Sequence, residues 1–488
     1  MDTFIFVCVC VRTCVCVSVG TSPDLLLWFH FQRTLRIIRR SLRIIMSAFQ
    51  SESTLKDKLD TLECHFTWDL KSSRRELLRM KDQMLDFGLV NVWLGPIYNL
   101  QGFIHLQLGL NKEAHGFFTK AAEVYAEQDP WRVVTYGNLA WLHHHLDEEE
   151  ESQRFVEKVD KLLNENPPPF QDKLHPEVYA EKAWTLMKYN KEQVKLAIDY
   201  FDRAIEMQPD HKEWRTSRVL ALDYLNICND NKSDAEVLEE MLHAREEDPN
   251  HLSLAAVLLK HRAKNGENVE EEVKELTKRI MKNPVNSYNG FRPLLKLYKQ
   301  VYSVDMAIGL AEEALRKFPE ERYIKNCAAG CYKMKILFHK KDLLQQDLIR
   351  ALTLYKDLID LYPESLKMKI DYLQVLSCFA NGQHEVEQKY KKLLKENPEP
   401  LDKQMLYHFY ANYLFYQRRD SSRSIHFHIK VAKIPEESWY RDKSIKILER
   451  LAKQENKTVE EFLKSRDQHG FQEMQEEEGG GVLQTGEQ

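Results

Sequence analysis

Apolar and small residues recur every three or four positions along most of the chain, the spacing that places them on one face of an α-helix. Two segments show this most clearly, SVDMAIGLAEEALRKFP at 303–319 and AIDYFDRAIEMQP at 197–209. Both have small or aromatic residues at the same three positions before a proline: Ala307, Ala311 and Ala314 in the first, and Ala197, Phe201 and Ala204 in the second. Because proline cannot continue a helix, each segment predicts an amphipathic helix that ends close to it.

Prolines recur at a nearly constant interval through the second half of the chain. Their separations are 40, 35, 35, 44 and 35 residues, counted between Pro209, Pro249, Pro284, Pro319, Pro363 and Pro398. This interval is close to the 34-residue period of the tetratricopeptide repeat, in which two helices pack side by side. With weaker copies around Ala140, Tyr390 and Ala432, the pattern predicts about nine repeats between residues 90 and 435.

The stretch around Gly102 matches the repeat at all five of its packing positions: Gly102, Gly109, Ala114, Phe118 and Ala121. Small residues are needed there because packed helices approach to about 8–10 Å, so Ala314→Phe is expected to destabilise the fold. Each repeat buries its apolar face only against its neighbours. The sequence therefore predicts an all-α fold, a tetratricopeptide-repeat superhelix or α-solenoid, whose concave groove is the natural binding surface.

Composition agrees with a helical protein. Only 17 Gly and 16 Pro occur in 488 residues, which is too few for the turns of an all-β fold. The 43% of hydrophobic and 30% of charged residues exclude wholesale disorder and a polytopic membrane protein. After the N-terminal region no stretch approaches the roughly 18 apolar residues of a membrane span, so we expect a cytoplasmic protein without membrane contact.

The first 45 residues do not resemble the rest. They contain the run VCVCVRTCVCVSV, and alternating Val and Cys is what a GT-dinucleotide repeat encodes. We interpret 1–45 as a non-native, disordered extension translated from non-coding sequence, with Met46 as the initiator. A transit or signal segment and a genuine intracellular arm are the alternatives, although Asp2 and Arg12 do not fit a targeting pattern. The remaining predicted units are an N-terminal helical segment at 46–90, the superhelix at 91–466 and an acidic disordered tail at 467–488.

The charge balance restricts where nucleic acid could bind. Residues 1–45 carry six Arg and two Asp, whereas the rest has 64 Lys and Arg against 73 Asp and Glu. An acidic body repels phosphate, so nucleic-acid binding requires a local basic concavity. A basic cluster follows CHFTWDL, for which an ordinary solvated helix face is the alternative: Lys71, Arg74, Arg75, Arg79 and Lys81.

Two further positions suit a nucleic-acid ligand. Trp184 lies in a predicted first helix with Lys188 four residues later, and an aromatic ring beside a cation can stack a base and neutralise a phosphate. Packing in the core is an equally supported interpretation of Trp184. Arg292 precedes Pro293 at the predicted start of another first helix, where proline suits the first helical position. A surface arginine is the alternative there.

Nothing in the sequence points to catalysis. There is no P-loop, HExxH, GxSxG or paired CxxC motif. The triplet His143–His145 points in three directions on a helix, and Cys327 with Cys331 supplies only half of a zinc site. We therefore expect no enzyme, no catalytic residue, no metal and no cofactor. The five cysteines after residue 45 are odd in number and lack a framework spacing, which suits a reducing compartment.

Several longer segments resemble one family. They are LECHFTWDL at 62–70, YGNLAWLHHHL at 136–146, FRPLLKLYKQVYSVDMAIGLAEEAL at 291–315 and RDKSIKILERL at 441–451. Together and in this order they resemble the interferon-induced proteins with tetratricopeptide repeats. The resemblance runs from about Met46 to Leu451, and its CHFTW element is far more specific than the repeat positions.

The resemblance implies a cytosolic antiviral effector without catalytic activity. Members hold single-stranded RNA in a basic, tunnel-like groove and recognise a 5′-triphosphate or an incompletely methylated cap, which removes the RNA from translation. It implies no DNA or membrane partner and allows association with related family members or other proteins through the repeats. Five positions match RNA contacts of the family: Arg79, Gln83, Trp184, Lys188 and Arg292.

Other RNA-contact positions of the family differ here. Val194 replaces a Tyr, Tyr224 stands where the central triphosphate-binding Arg is found, and Ser253 replaces a groove Tyr. The HHQ element of the family appears as Lys325, Asn326 and Cys327. Because only Arg forms a bidentate phosphate clamp, these differences leave the 5′-end preference open.

Two hypotheses follow from the sequence. The first is an RNA-binding antiviral effector with an altered 5′-end preference. The second is a protein-interaction scaffold in innate immune signalling, whose groove binds a peptide or signalling partner without RNA. The five retained positions favour RNA, whereas Tyr224 and the acidic body favour the scaffold.

Overall fold

The computed structural model describes most of the chain between residues 54 and 464. The described ranges are 54–84, 86, 93–126, 129–170, 174–228, 235–285, 287–339, 343–379, 382–396, 399–453 and 459–464. The extension 1–45, the start at Met46 and the acidic tail 467–488 lie outside these ranges. The interpretations given to them above stay predictions.

Within these ranges, twenty α-helices of eleven residues or more follow one another. They are α1 (Arg74–Met84), α2 (Leu94–Gln107), α3 (Asn111–Val124), α4 (Arg132–His145), α5 (Glu149–Glu165), α6 (Pro176–Leu186), α7 (Lys191–Met207), α8 (Lys212–Cys228), α9 (Ala235–Glu247), α10 (Leu252–Lys264), α11 (Glu270–Ile280), α12 (Phe291–Val301), α13 (Val304–Lys317), α14 (Arg322–Phe338), α15 (Gln345–Leu361), α16 (Leu366–Leu376), α17 (Gln383–Glu396), α18 (Pro400–Tyr416), α19 (Ser421–Ala432) and α20 (Trp439–Ala452). The described residues contain no β-strand, which confirms the predicted all-α class.

Helices α2 to α19 form nine successive pairs over the described ranges. The two helices of a pair are joined by two to six residues and pack along their length, which makes them antiparallel. In five of the pairs, the second helix ends two to four residues before one of the regularly spaced prolines: Pro209, Pro249, Pro284, Pro319 and Pro363. The predicted array of tetratricopeptide repeats is therefore confirmed.

Small residues hold the helices of a pair close together, as predicted. A Cβ atom added to Gly102 of α2 would lie 2.4 Å from the ring of Phe118 in α3, and that ring is fully buried. The alanines at equivalent positions are also fully buried: Ala114, Ala121, Ala197, Ala204, Ala307, Ala311 and Ala314. Buried apolar residues form successive clusters along the array, the two largest running from Leu55 to Trp214 and from Ala255 to Val375.

Helix α12 begins two residues before Pro293, the predicted first helical residue. Gly290, with a φ of 80°, precedes it, and Phe291 is its first residue. Pro293 is therefore the third helical residue rather than the first, so the prediction for this position was wrong. A proline fits there because the first turn of a helix has no carbonyl acceptor for its N–H groups.

The N-terminal helix contacts repeats in the second half of the chain. Arg75 of α1 forms ion pairs with Glu364, at 3.2 Å, and with Asp402, at 3.1 Å. Beyond the end of α1, Asp86 accepts a hydrogen bond from the hydroxyl of Tyr362. The array therefore curves until α1 meets residues close to α15, α16 and α18. None of the helices described is both long and apolar enough to cross a bilayer.

Candidate nucleic-acid interface

Trp184 and Lys188 meet at the end of α6. Trp184 is 3% exposed and stacks on Trp93, with ring centroids 5.9 Å apart and an interplanar angle of 23°. Helix α6 ends at Leu186, so Lys188 lies in the following turn rather than on the helix. Its ammonium nevertheless lies 4.2 Å from the centroid of the Trp184 ring. Trp184 thus packs in the core and also supports a cation.

The ammonium of Lys188 occupies a poorly hydrated environment. Burial lowers the pKa of Lys188 to about 8, and the negative charge of Glu213 partly opposes this effect. A group with this pKa is mostly charged at neutral pH and loses its proton a little above it. An anionic ligand placed against Lys188 would favour the charged form.

Glu213, in the first turn of α8, is the carboxylate that faces this cation. It accepts hydrogen bonds from the indole of Trp93 at 2.8 Å, from the hydroxyl of Tyr288 at 2.7 Å and from that of Ser217 at 3.1 Å. His251 lies 3.6 Å away. Ser217 lies on the same helix, whereas Trp93, His251 and Tyr288 reach Glu213 from distant parts of the chain. No spacing in the sequence indicates these long-range contacts.

The first helices of three repeats, α2, α4 and α6, meet through polar side chains about one turn before Trp184 in α6. The amide of Asn99 donates to Thr135 at 3.0 Å and to Glu181 at 2.9 Å, and all three residues are fully buried. Burial raises the pKa of Glu181 to about 8, and the hydrogen bond from Asn99 lowers it only in part. These buried side chains therefore link α2, α4 and α6 by hydrogen bonds.

Arg79 and Gln83 lie one turn apart on the exposed side of α1, as the sequence predicted for a helical pair. Arg79 lies near the C-terminal repeats, since its charge lowers the pKa of the Asp402 carboxyl against the raising effect of burial. Its neighbour Arg75 is tied to Glu364 and Asp402. The basic cluster predicted on α1 is thus partly used for contacts within the fold.

Arg292 lies on a third element, at the start of α12. Its guanidinium is 5.4 Å from the ring of Tyr323, and its backbone N–H donates to the Tyr323 hydroxyl at 3.1 Å. Burial raises the pKa of the neighbouring Cys327 thiol, and the charge of Arg292 lowers it in part. The structure thus joins Trp184 to Lys188, sets Arg79 beside Gln83 and holds Arg292 against Tyr323.

The positions that depart from the family have different surroundings. Val194 is 2% exposed and packs with Ala221 and Leu225. Tyr224 is 45% exposed, two turns beyond Ser217 on the same side of α8. The backbone of Ser253 packs closely against Gly290: a Cβ atom added to Gly290 would lie 2.9 Å from it.

The other candidate ligands of the sequence have structural roles. The Nδ1 of His143 donates to the carboxylate of Glu148 at 2.6 Å, and its ring stacks on Phe155. Cys327 and Cys331 are 5% and 2% exposed in α14, which agrees with packing between helices. Over the described ranges, no group of three or more His, Cys, Asp or Glu side chains is arranged to hold a metal ion.

Known proteins resemble this chain along most of its length. The human interferon-induced protein with tetratricopeptide repeats 2 is 25% identical over 422 residues, which cover 83% of this chain and 88% of the relative. The human antiviral innate immune response effector IFIT1 is 24% identical over 429 residues, covering 83% and 89%. The Chinese hamster interferon-induced protein with tetratricopeptide repeats 2 is 23% identical over 406 residues, covering 80% and 85%. No protein-family model matches the chain.

Solved structures share the fold. A human IFIT1 dimer with m7Gppp-AAAA has a TM-score of 0.63 at 23% identity, covering 82% of this chain and 91% of that one. A human IFIT1 dimer with PPP-AAAA has a TM-score of 0.60 at 23% identity, covering 83% and 92%. At this identity the likeness concerns the superhelix and not its ligand.

Proposed function

The chain belongs to the family of interferon-induced proteins with tetratricopeptide repeats, and we propose that it captures single-stranded RNA by the 5′ end. RNA with a 5′-triphosphate or an incompletely methylated cap would enter the concave groove and be withheld from translation. On this proposal the protein is a cytoplasmic antiviral effector without catalytic activity or cofactor. Further contacts with related family members would use the repeats.

The observation that carries the proposal is the contact between Lys188 and Trp184. The ammonium lies over an indole ring, beside a carboxylate that is already hydrogen-bonded by three other groups. Burial lowers the pKa of Lys188, and an anionic group placed against the ammonium would favour its charged form. A 5′ phosphate supplies such an anionic group.

Arg79, Gln83 and Arg292 complete the proposed site from two other elements. Arg79 and Gln83 stand on the exposed side of α1, where a guanidinium and an amide can donate hydrogen bonds to phosphate oxygens. Arg292 is exposed beside Tyr323, which combines a cation with an aromatic ring for a nucleotide farther from the 5′ end. The printed descriptions of human IFIT1 with m7Gppp-AAAA and PPP-AAAA lend support from a relative.

The test measures binding of the full chain to one single-stranded RNA prepared with a 5′-triphosphate, a cap or a 5′-hydroxyl. A salt series accompanies each measurement, because phosphate contacts make affinity fall as salt rises. We expect the triphosphate or capped form to bind more tightly than the hydroxyl form. Lys188→Glu is expected to remove that difference, whereas Lys282→Glu, at an exposed lysine after α11, should keep it.

A protein-interaction scaffold is the second candidate. Glu213 lies near Lys188 and Asp223 near Lys296, and groups of both signs suit a peptide with mixed charges. Equal and weak binding of all three RNAs would contradict RNA capture and favour this alternative.

A further inference from the structure

A long connection joins the second helix of one repeat, α5, to the first helix of the next, α6. It contains ten residues, 166–175, whereas the corresponding connections after α7, α9, α13 and α15 contain four each. Three consecutive prolines, Pro167–Pro169, stand in it and are followed by Phe170, and the chain has no other adjacent prolines. We call residues 167–170 the PPPF segment. Four residues are enough to join successive repeats, so this segment is an addition to the repeat.

The prolines restrict the backbone of the PPPF segment. Each pyrrolidine ring fixes φ near −65°, and a residue that precedes a proline is confined to extended conformations. A run of prolines therefore favours the polyproline II helix, which has no internal hydrogen bonds. All four residues are described by the structure, none of them is helical, and the chain bends at Pro169 and Phe170. A partner that binds this conformation loses little affinity to ordering it.

Hydrogen bonds fix the base of the connection. The Nε2 of His175 donates to the backbone carbonyl of Asn166 at 2.6 Å, and His175 is 5% exposed. The backbone N–H of Leu174 donates to the hydroxyl of Tyr179 at 3.3 Å. Because Asn166 and His175 are the first and last residues of the connection, the PPPF segment starts from a closed and ordered base.

The PPPF segment presents apolar surface to solvent. Pro167 and Pro169 are exposed and Pro168 is half-buried. Phe170 is 49% exposed, although a phenylalanine side chain is usually buried. The segment carries no charged side chain, and the exposed Glu165 precedes it, so it offers nothing that would hold the phosphates of a nucleic acid. Prolines in a polyproline II conformation are instead the ligands of protein grooves lined with aromatic side chains.

We propose that the PPPF segment is a docking site for a protein module that recognises the polyproline II conformation through an aromatic-lined groove. The exposed rings of Pro167 and Pro169 pack on the aromatic side chains of the groove, and the ring of Phe170 adds an apolar anchor beside them. The inference goes beyond RNA capture and is independent of it, because none of these residues belongs to the candidate nucleic-acid interface.

The test titrates the full chain with one SH3, one WW and one EVH1 domain, three modules of this kind. We expect at least one domain to bind the unmodified chain. Pro167→Ala and Phe170→Ala should each weaken that binding roughly tenfold, because a few anchoring side chains carry most of the energy of such contacts. Phe170→Tyr keeps the aromatic ring and should retain most of the affinity. Pro435→Ala, at an exposed single proline after α19, is the matched control and should leave the affinity unchanged.

Two outcomes would overturn the docking site. The first is that none of the three domains binds at roughly 0.1 mM. The second is that a domain binds Phe170→Ala and Pro167→Ala as tightly as the unmodified chain, with melting temperatures confirming that both variants are folded. Addition of 5′-triphosphate RNA should not displace the bound domain. A domain that RNA displaces and that ignores both substitutions occupies the concave groove instead, which also refutes the PPPF segment as its site.

Discussion

The guanidinium of Arg75 lies 3.1 Å from the carboxylate of Asp402, and so joins the N-terminal helix to one of the last repeats. The same guanidinium lies 3.2 Å from Glu364, so one side chain connects three elements that are distant in sequence. A repeat array needs only contacts between neighbours to fold. This ion-pair group adds a contact between elements that are far apart in the chain.

Arg75→Ala is expected to weaken that contact. The substitution leaves the half-buried Glu364 and the buried Asp402 without their cation, and we expect the free energy of unfolding to fall by about 1–3 kcal/mol. Hydrogen exchange should become faster at the start of α18 and of α16. Lys161→Ala breaks an exposed pair with Glu165 and should change neither property. Unaltered exchange in α18 would show that the contact does not depend on Arg75.

Gly102 and Gly116 provide a matched pair of substitutions inside one repeat. A methyl group on Gly102 would lie 2.4 Å from the buried Phe118 ring, so Gly102→Ala should destabilise by about 1–3 kcal/mol. Gly116 lies within α3 with open space around it, so Gly116→Ala should stabilise by roughly 0.5–1 kcal/mol. Melting temperatures of both variants provide the measurement. Combining Phe118→Leu with Gly102→Ala should restore part of the lost stability. An unchanged melting temperature for Gly102→Ala alone would mean that the two helices can move apart at little cost.

Local signals in the sequence were sufficient to predict the repeats. Gly102 and Ala314 mark close helix packing, and prolines such as Pro319 stand just after second helices, because these constraints act between neighbouring residues. The contact of Arg75 with Asp402 could not be predicted in this way. It depends on the accumulated rotation of all the intervening repeats, which no short segment encodes.

For the same reason, the sequence predicted only part of the candidate site. The resemblance named Trp184 and Lys188, and the structure brings the two into contact. It did not name Glu213, which accepts hydrogen bonds from Trp93 and Tyr288, residues far from it in the chain.

The buried Glu181 should make stability depend on pH. Its pKa is about 8 in the folded protein and close to 4.5 in the unfolded chain, so the folded state retains a proton that the unfolded state releases. Stability therefore falls as pH rises from about 4.5 to 8, by at most about 1.4 kcal/mol per pH unit from this group. Glu181→Gln keeps the acceptor for Asn99 and removes the ionisation.

Melting temperatures between pH 5.5 and pH 8.5 test this expectation. The melting temperature of Glu181→Gln relative to that of the unmodified chain should rise with pH and level off above about pH 8. Glu192→Gln replaces an exposed glutamate of α7 and should leave the pH profile unchanged. Parallel profiles for Glu181→Gln and the unmodified chain would mean that Glu181 ionises as readily in the folded protein as in the unfolded one.

Lys188 should make 5′-end recognition depend on pH if it contacts the 5′ phosphate. Its pKa of about 8 in the free protein means that binding above this pH requires prior uptake of a proton. The affinity for 5′-triphosphate RNA should then fall about tenfold between pH 7 and pH 9, whereas that for 5′-hydroxyl RNA should change little. Lys188→Arg stays charged over this range, so its affinity should be independent of pH. The same decline with pH in the arginine variant would assign the titration to another group. If the affinity of the unmodified chain does not decline, Lys188 does not contact the 5′ phosphate.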